Sequence, residues 1–371
     1  MLQDPSLNST YLIIDALDEC VADLSKLLDF VVQKSSVSSR VKWIVSSRNW
    51  PDIEGRLEQA GHKVRLCLEL NAESISAAVS VYIEKRVSQL AQEKTYDKRT
   101  RDTVLEHLAS NANNTFLWVA SVCQHLEKIE RWNVREKLNL FPPGLDLLYK
   151  RMIQQISDSH NASLCKQILA LVVTVYRPIT LKELSAISEM LENVAGDDLE
   201  STREIVSLCG SFLTIREQSV YFVHQSAKDF LFTNAFYEIF PSGTEETHYI
   251  VFSRSLHIMS MTLRRDMYNL LEVGYPIEEV KQPDPDPLAA SRYSCIYWVD
   301  HLCAWNFNPS TNRSAELQDG SAVDSFLRKQ YLYWLEALSL CQSMPKGVLS
   351  MAKLNDLIQR STDSSELMKL V

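Results

Sequence analysis

Three acidic side chains follow one apolar run near the start of the sequence. The run is YLII, residues 11–14, and the acids are Asp15, Asp18 and Glu19. A continuous apolar run with β-branched residues is typical of a strand buried on both faces of a parallel sheet. Carboxylates at the carboxyl end of such a strand lie where open α/β sheets bind ligands, and nucleotide-bound Mg²⁺ takes one or two carboxylates. The pattern predicts a magnesium-binding Walker B strand; the alternative is a strand end with solvated or helix-capping acids.

A second strand with polar residues at its end supports this interpretation. The run VKWIV is followed by Ser46, Ser47 and Arg48, and a stretch of helical periodicity lies between it and the first strand. This order predicts a βαβ unit, with a further short strand at 63–70. An arginine at the end of the second strand can reach a γ-phosphate. The alternative is a surface arginine that follows a strand.

The rest of the chain has helical periodicity, interrupted by one region with hairpin signals. Thr180 and Glu183 have the spacing of an N-cap and its capping-box partner. Further on, GSFLTIREQSVYFVHQSAKDFL predicts two strands around a polar turn, then a helix capped by Ser226. Helices followed by a β-hairpin indicate a winged helix. Aromatic residues at helical spacing in the last third indicate core packing.

Net charge and cysteine spacing bear on the binding partners and the cellular compartment of the protein. The net charge of −9, from 38 basic and 47 acidic side chains, disfavours a nucleic-acid binder, and the helical stretch LKELSAISEMLENV is acidic. The eight cysteines form no CxxC pair, and no signal peptide or membrane-spanning run is present, which predicts reduced thiols in a cytoplasmic protein. A zinc site from Cys295, His301 and Cys303 is an alternative whose spacing matches no usual ligand pattern.

Several of these stretches together resemble the NACHT family of signalling P-loop (STAND) ATPases. They are LIIDALDEC, KWIVSSR, RPITLKEL and VYFVHQSAKDFL, and they are most similar to the fungal NLR-like group that includes the vegetative incompatibility proteins. The resemblance implies an α/β plus all-α fold in four parts. These are the C-terminal part of a P-loop NTPase parallel sheet (1–70), a helical bundle (71–157), a winged helix (158–235) and a helical region that usually precedes WD or ankyrin repeats (236–371).

The resemblance also assigns roles to single residues, with ATP or ADP and Mg²⁺ as cofactors. Asp15 corresponds to the acid of the magnesium shell, and Asp18 or Glu19 to the acid that positions the hydrolytic water. Arg48 corresponds to the sensor arginine. His224 corresponds to the winged-helix histidine that contacts the β-phosphate of ADP and stabilises the closed state; the alternative for His224 is a capped core histidine.

One motif of that family is missing from the sequence. None of the nine glycines lies in a GxxxxGK[ST] phosphate loop. The sequence therefore predicts a fragment of a signalling switch that acts as a protein-interaction scaffold, with nucleotide binding lost or impaired. The alternative is a working ATPase whose loop is supplied by upstream sequence. Expected partners are proteins that bind the helical regions, with self-association as one option, and neither nucleic acid nor membrane.

Overall fold

The structure is a computed structural model in which the chain forms two compact units, Met1–Ala77 and Ala78–Val371. It describes residues 10–17, 20, 23–35, 37–38, 40–47, 51–58, 72–196, 198–271, 274–305 and 314–360. Most described residues are helical. Among them, no helix has the length and apolar content needed to cross a membrane.

The first unit contains a parallel pair of strands with helices after each. Its elements are β1 (Thr10–Ile14), α1 (Leu24–Ser35), β2 (Val41–Val45) and α2 (Pro51–Leu57). The strands pair in parallel over five residues, and Ile14 lies opposite Val45, so both strands end at the same edge. The predicted strand–helix–strand unit is confirmed. A larger P-loop sheet is not shown, and the predicted strand at 63–70 lies outside the described residues.

The two faces of this strand pair differ. Leu17, Leu28 and Ile53 form a buried core on one face, where Ile14 and Val45 pack against them. On the other face Tyr11, Ile13 and Ile44 are half or more exposed. The prediction that β1 is buried on both faces is therefore wrong for this structure. An apolar run shows that both faces of a strand are suited to burial. It does not show that packed elements are present on both faces.

Five helices follow, of which the first spans the boundary between the two units and the others lie in the second unit. They are α3 (Ala72–Glu93), α4 (Lys98–Asn111), α5 (Phe116–Lys128), α6 (Val134–Leu138) and α7 (Leu145–Ser157). In α3, Val79, Ile83, Val87 and Leu90 are buried, and their i, i+4 and i+3 spacing is the helical stripe seen in the sequence.

A small antiparallel sheet follows, surrounded by helices. The elements are α8 (Ala162–Thr174), β3 (Ile179–Thr180), α9 (Leu181–Ile187), α10 (Glu189–Ala195), α11 (Leu199–Leu208), β4 (Leu213–Arg216), β5 (Ser219–Phe222) and α12 (Gln225–Thr233). β5 lies between β3 and β4. Glu217 and Gln218 join β4 to β5 with φ of 48° and 69°, the backbone of a two-residue hairpin turn.

Side chains determine where the helices of this region start. Thr180 and Glu183 form the predicted capping box at the start of α9. The acidic stretch LKELSAISEMLENV is two helices and not one, because Ser188 ends α9 and its hydroxyl caps α10 by accepting from Leu191 N–H. Serine competes for backbone donors in this way, and a single helix would leave no donor free for its hydroxyl.

The last part of the chain is helical. It comprises α13 (Phe236–Ile239), α14 (Thr244–Thr262), α15 (Arg292–Trp305), α16 (Ala322–Leu340) and α17 (Met344–Arg360). Its core includes Trp298 and Trp334, which are fully buried and meet edge to face at 5.9 Å between ring centroids. The interpretation of these aromatic residues as core residues is confirmed.

Candidate functional site

The ends of β1 and β2 are joined by the side chain of Ser46. Its hydroxyl donates to Oδ1 of Asp15 and accepts from Ala16 N–H at 2.9 Å. Ala16 has a left-handed φ of 51°, a conformation that is strained for alanine. Beyond this turn Leu17 enters the core, and Asp15 stays exposed at the strand end. The acid that was predicted to serve magnesium is therefore held in place and open to solvent.

The other predicted residues of this edge are not described. Asp18, Glu19 and Arg48 lie outside the described residues, so their roles remain predictions. Within the described part of the chain, no group of three or more His, Cys, Asp or Glu side chains could hold a metal ion, which also applies to Cys295, His301 and Cys303. The assignment of Asp15 to magnesium remains a prediction that needs ligands from elsewhere.

We expect Ser46→Ala to loosen this strand end without unfolding the chain. The substitution removes the acceptor of Ala16 N–H and the donor to Asp15, which costs roughly 1 kcal/mol of local stability. Amide exchange at Ala16 should then be about fivefold faster. Hydrogen–deuterium exchange measures it, and Ser25→Ala on the exposed surface of α1 is the control. Equal exchange in the two variants would contradict the role of Ser46.

His224 caps α12. Its Nδ1 accepts the backbone N–H of Ser226 at 3.1 Å and lies 2.9 Å from the Ser226 hydroxyl. The prediction that Ser226 is the cap is wrong, because the imidazole accepts from the residue two positions on, as an aspartate or asparagine cap does. The side chain is exposed, which excludes a core histidine, and its capping role was not predicted from the sequence.

Glu183 does more than complete its capping box. Its carboxylate is almost fully buried and accepts from the guanidinium of Arg177 at 2.6 and 3.0 Å. It also accepts Thr180 N–H at 2.9 Å and Tyr293 N–H, at the start of α15, at 3.0 Å. One carboxylate thus connects the winged-helix region to the C-terminal helices. Only the capping box of Glu183 was visible in the sequence, since Tyr293 is 110 residues away.

A buried chain of hydrogen bonds lies beside this carboxylate. Tyr176 N–H donates to the Tyr293 hydroxyl at 3.1 Å, which lies 2.7 Å from His301 Nε2. His301 Nδ1 lies 2.8 Å from Nδ1 of His248. Each of these two contacts has one donor and one acceptor when Tyr293 donates to His301 and His301 donates to His248. Both histidines are then neutral.

Burial sets the protonation states of the residues in this series of hydrogen bonds. Desolvation lowers the pKa of His301 well below its usual value, and the neighbouring His248 lowers it further. The pKa of His248 is also lowered by burial, against the opposing effect of Glu245. Burial raises the pKa of Tyr176 to about 12. No sequence motif marked these residues as a group, because they come from three separate segments.

Comparison with known proteins decides which group of proteins the chain is related to. It is 52% identical over 372 residues, 96% of the chain, to the vegetative incompatibility protein HET-E-1 of Podospora anserina. This chain is a relative of that fungal vegetative incompatibility protein. The resemblance found in the sequence motifs is therefore confirmed. The chain spans 27% of the length of HET-E-1.

Two family models match parts of this relative of HET-E-1. Residues 149–240 match the winged helix domain of GPI inositol-deacylase, and residues 1–48 match the N-terminal region of nephrocystin 3. The first match covers β3, β4, β5 and the helices around them, which confirms the predicted winged helix. No solved structure matches the chain.

Proposed function

We propose that this chain is the winged-helix part of a signalling switch in vegetative incompatibility. The observation that carries the proposal is the 52% identity to HET-E-1 over nearly the whole chain. Its helical regions would contact protein partners in the cytoplasm. Six described cysteines are free thiols, which fits a reducing compartment: Cys123, Cys165, Cys209, Cys295, Cys303 and Cys341.

The switch would be controlled by ATP or ADP with Mg²⁺. Asp15 is an exposed carboxylate at the carboxyl edge of a parallel strand pair, which suits a magnesium shell. His224 is an exposed imidazole at a helix start, and an imidazole N–H can donate to a phosphate oxygen. Each supports the proposal within its own unit. The phosphate loop itself would have to come from outside this sequence.

The chain taken by itself should therefore bind Mg-ATP and Mg-ADP weakly or not at all. Without a GxxxxGK[ST] loop it has no backbone cradle and no lysine for the β- and γ-phosphates. Isothermal titration calorimetry of the chain with Mg-ATP tests this expectation. A dissociation constant in the micromolar range would contradict it.

The same titration separates a scaffold from a working ATPase. The chain spans 27% of HET-E-1. A polypeptide as long as HET-E-1 therefore has room for a phosphate loop outside the region that matches this chain. If a polypeptide that joins such a loop to this chain gains Mg-ATP binding and hydrolysis, the ATPase alternative is supported. If it gains neither, the chain functions as an interaction scaffold without a nucleotide.

A further inference from the structure

Ser226 and Tyr149 fix the orientation of the His224 ring. Tyr149, on α7, is buried and packs against the rings of Phe212 and Phe230 at 5.6 and 5.4 Å. Its hydroxyl lies 3.0 Å from Oγ of Ser226, which in turn lies 2.9 Å from Nδ1 of His224. The backbone N–H of Ser226 reaches the same Nδ1 at 3.1 Å. The packed ring of Tyr149 is therefore connected, through the Ser226 hydroxyl, to Nδ1 of the exposed His224 ring.

The directions of these hydrogen bonds follow from the donor inventory. A backbone N–H can only donate, so Nδ1 of His224 must be the acceptor and carries no proton. The single lone pair of Nδ1 is then shared by the N–H and the hydroxyl of Ser226, and this hydroxyl accepts the proton of Tyr149. Burial raises the pKa of Tyr149, which keeps it a phenol that can donate. In the neutral ring of His224, the single proton is therefore on Nε2.

We propose that Ser226, oriented by Tyr149, is a positioning residue that holds His224 in its Nε2–H tautomer. The ring then presents one N–H donor and no free lone pair. Such a ring binds an oxygen that accepts hydrogen bonds, as in phosphate, and does not bind a metal ion or an ammonium group, because both need a lone pair. The inference rests on the proposed function only in naming that acceptor as a nucleotide phosphate.

Nuclear magnetic resonance of the chain labelled with ¹⁵N-histidine tests the tautomer without any ligand. At about pH 8.5, two units above the ordinary histidine pKa of about 6.5, two-bond ¹H–¹⁵N correlations distinguish the two neutral forms. His224→Gln identifies the signals of His224 by their loss. The parent chain should show the Nε2–H form alone at this position.

Substitutions at the start of α12 separate tautomer control from folding. Ser226→Pro removes both the N–H and the hydroxyl, and it should give a mixture of the two tautomers. Gln225→Pro is the matched control, because proline at the first helical position is tolerated and both Ser226 donors remain. Ser226→Ala, which keeps the N–H, should shift the tautomer less, and Ser226→Thr should restore the parent spectrum. If Ser226→Pro and Gln225→Pro both keep the Nε2–H form alone, the positioning role is overturned.

A second measurement distinguishes this inference from the proposed function. In a polypeptide that joins the chain to a GxxxxGK[ST] loop, Ser226→Pro should weaken ADP binding at least tenfold, and Gln225→Pro should not. A changed tautomer with unchanged ADP affinity would overturn phosphate contact as the role of His224, while the control of the tautomer by Ser226 would stand. An unchanged tautomer overturns the inference whatever the ADP affinity is.

Discussion

Glu183→Ala should lower the free energy of unfolding of the chain by about 3–5 kcal/mol. The carboxylate is buried, and its removal leaves the guanidinium of Arg177 without its bidentate partner. The backbone N–H groups of Thr180 and Tyr293 lose their acceptor at the same time. A buried donor left unsatisfied costs about 1–3 kcal/mol, so even partial rescue by water leaves a large loss. Urea unfolding followed by circular dichroism measures the change.

Two further variants show whether the loss comes from the buried carboxylate. Glu204→Ala, on the exposed side of α11 in the same region, should change the free energy of unfolding by less than about 0.5 kcal/mol. Glu183→Gln keeps the shape but turns one acceptor into a donor that faces other donors, so an intermediate loss is expected. If Glu183→Ala is no more destabilising than Glu204→Ala, the carboxylate does not connect the two regions.

The stability of the chain should also decrease as the pH falls below about 6.5. His301 and His248 have lowered pKa values in the folded chain, whereas in the unfolded chain they protonate near the ordinary value of about 6.5. Their contribution is therefore complete above pH 6.5 and is lost as the pH falls, because the unfolded state then binds more protons. Each histidine that stays neutral contributes a slope of about 1.4 kcal/mol per pH unit. Urea unfolding from pH 8 to pH 5 measures the slope.

The groups around the two histidines are three tyrosines, two carboxylates, one guanidinium and one thiol. They are Tyr176, Tyr293 and Tyr297, the carboxylate of Glu245, Arg177 over the Tyr293 ring, and Asp300 and Cys303 beside Tyr176. His107 and His125 also have pKa values lowered by burial, so the parent slope contains their share.

Comparison of variants isolates the buried pair from the other histidines. His301→Gln keeps hydrogen-bonding groups but cannot titrate, and it should reduce the slope below pH 6.5 by about 1.4 kcal/mol per pH unit. His160→Gln replaces an exposed histidine outside the network and is the matched control. A slope that is the same in His301→Gln as in the parent chain would contradict neutral burial of His301.

Local features of this fold could be predicted from the sequence because their partners are close along the chain. The capping box joins Thr180 and Glu183, three residues apart, and both are recognisable by type. The parallel pairing of β1 and β2 follows from two apolar runs with a helical stretch between them. The start of α12 was predicted within two residues, but its cap was misassigned because histidine is an uncommon residue at this position.

Contacts between distant segments could not be predicted in the same way. Glu183 bonds to Tyr293, and His248 to His301, across 110 and 53 residues, and no periodicity reports such pairs. The bond from Ser46 to Asp15 depends on the strand register and on the left-handed turn at Ala16. A sequence shows which residues suit a polar contact, whereas the packing of the fold determines which of them meet.

Titration with ADP is the most direct test of the account, in a polypeptide that joins this chain to a GxxxxGK[ST] loop. His224→Ala would remove the charge-assisted hydrogen bond that we propose between its Nε2–H and an ADP phosphate oxygen, worth roughly 1.5–3 kcal/mol. We expect ADP to bind about 10- to 150-fold more weakly to His224→Ala than to the parent, whereas His160→Ala should leave the affinity unchanged. An ADP affinity of His224→Ala equal to that of the parent would contradict nucleotide control through the winged helix.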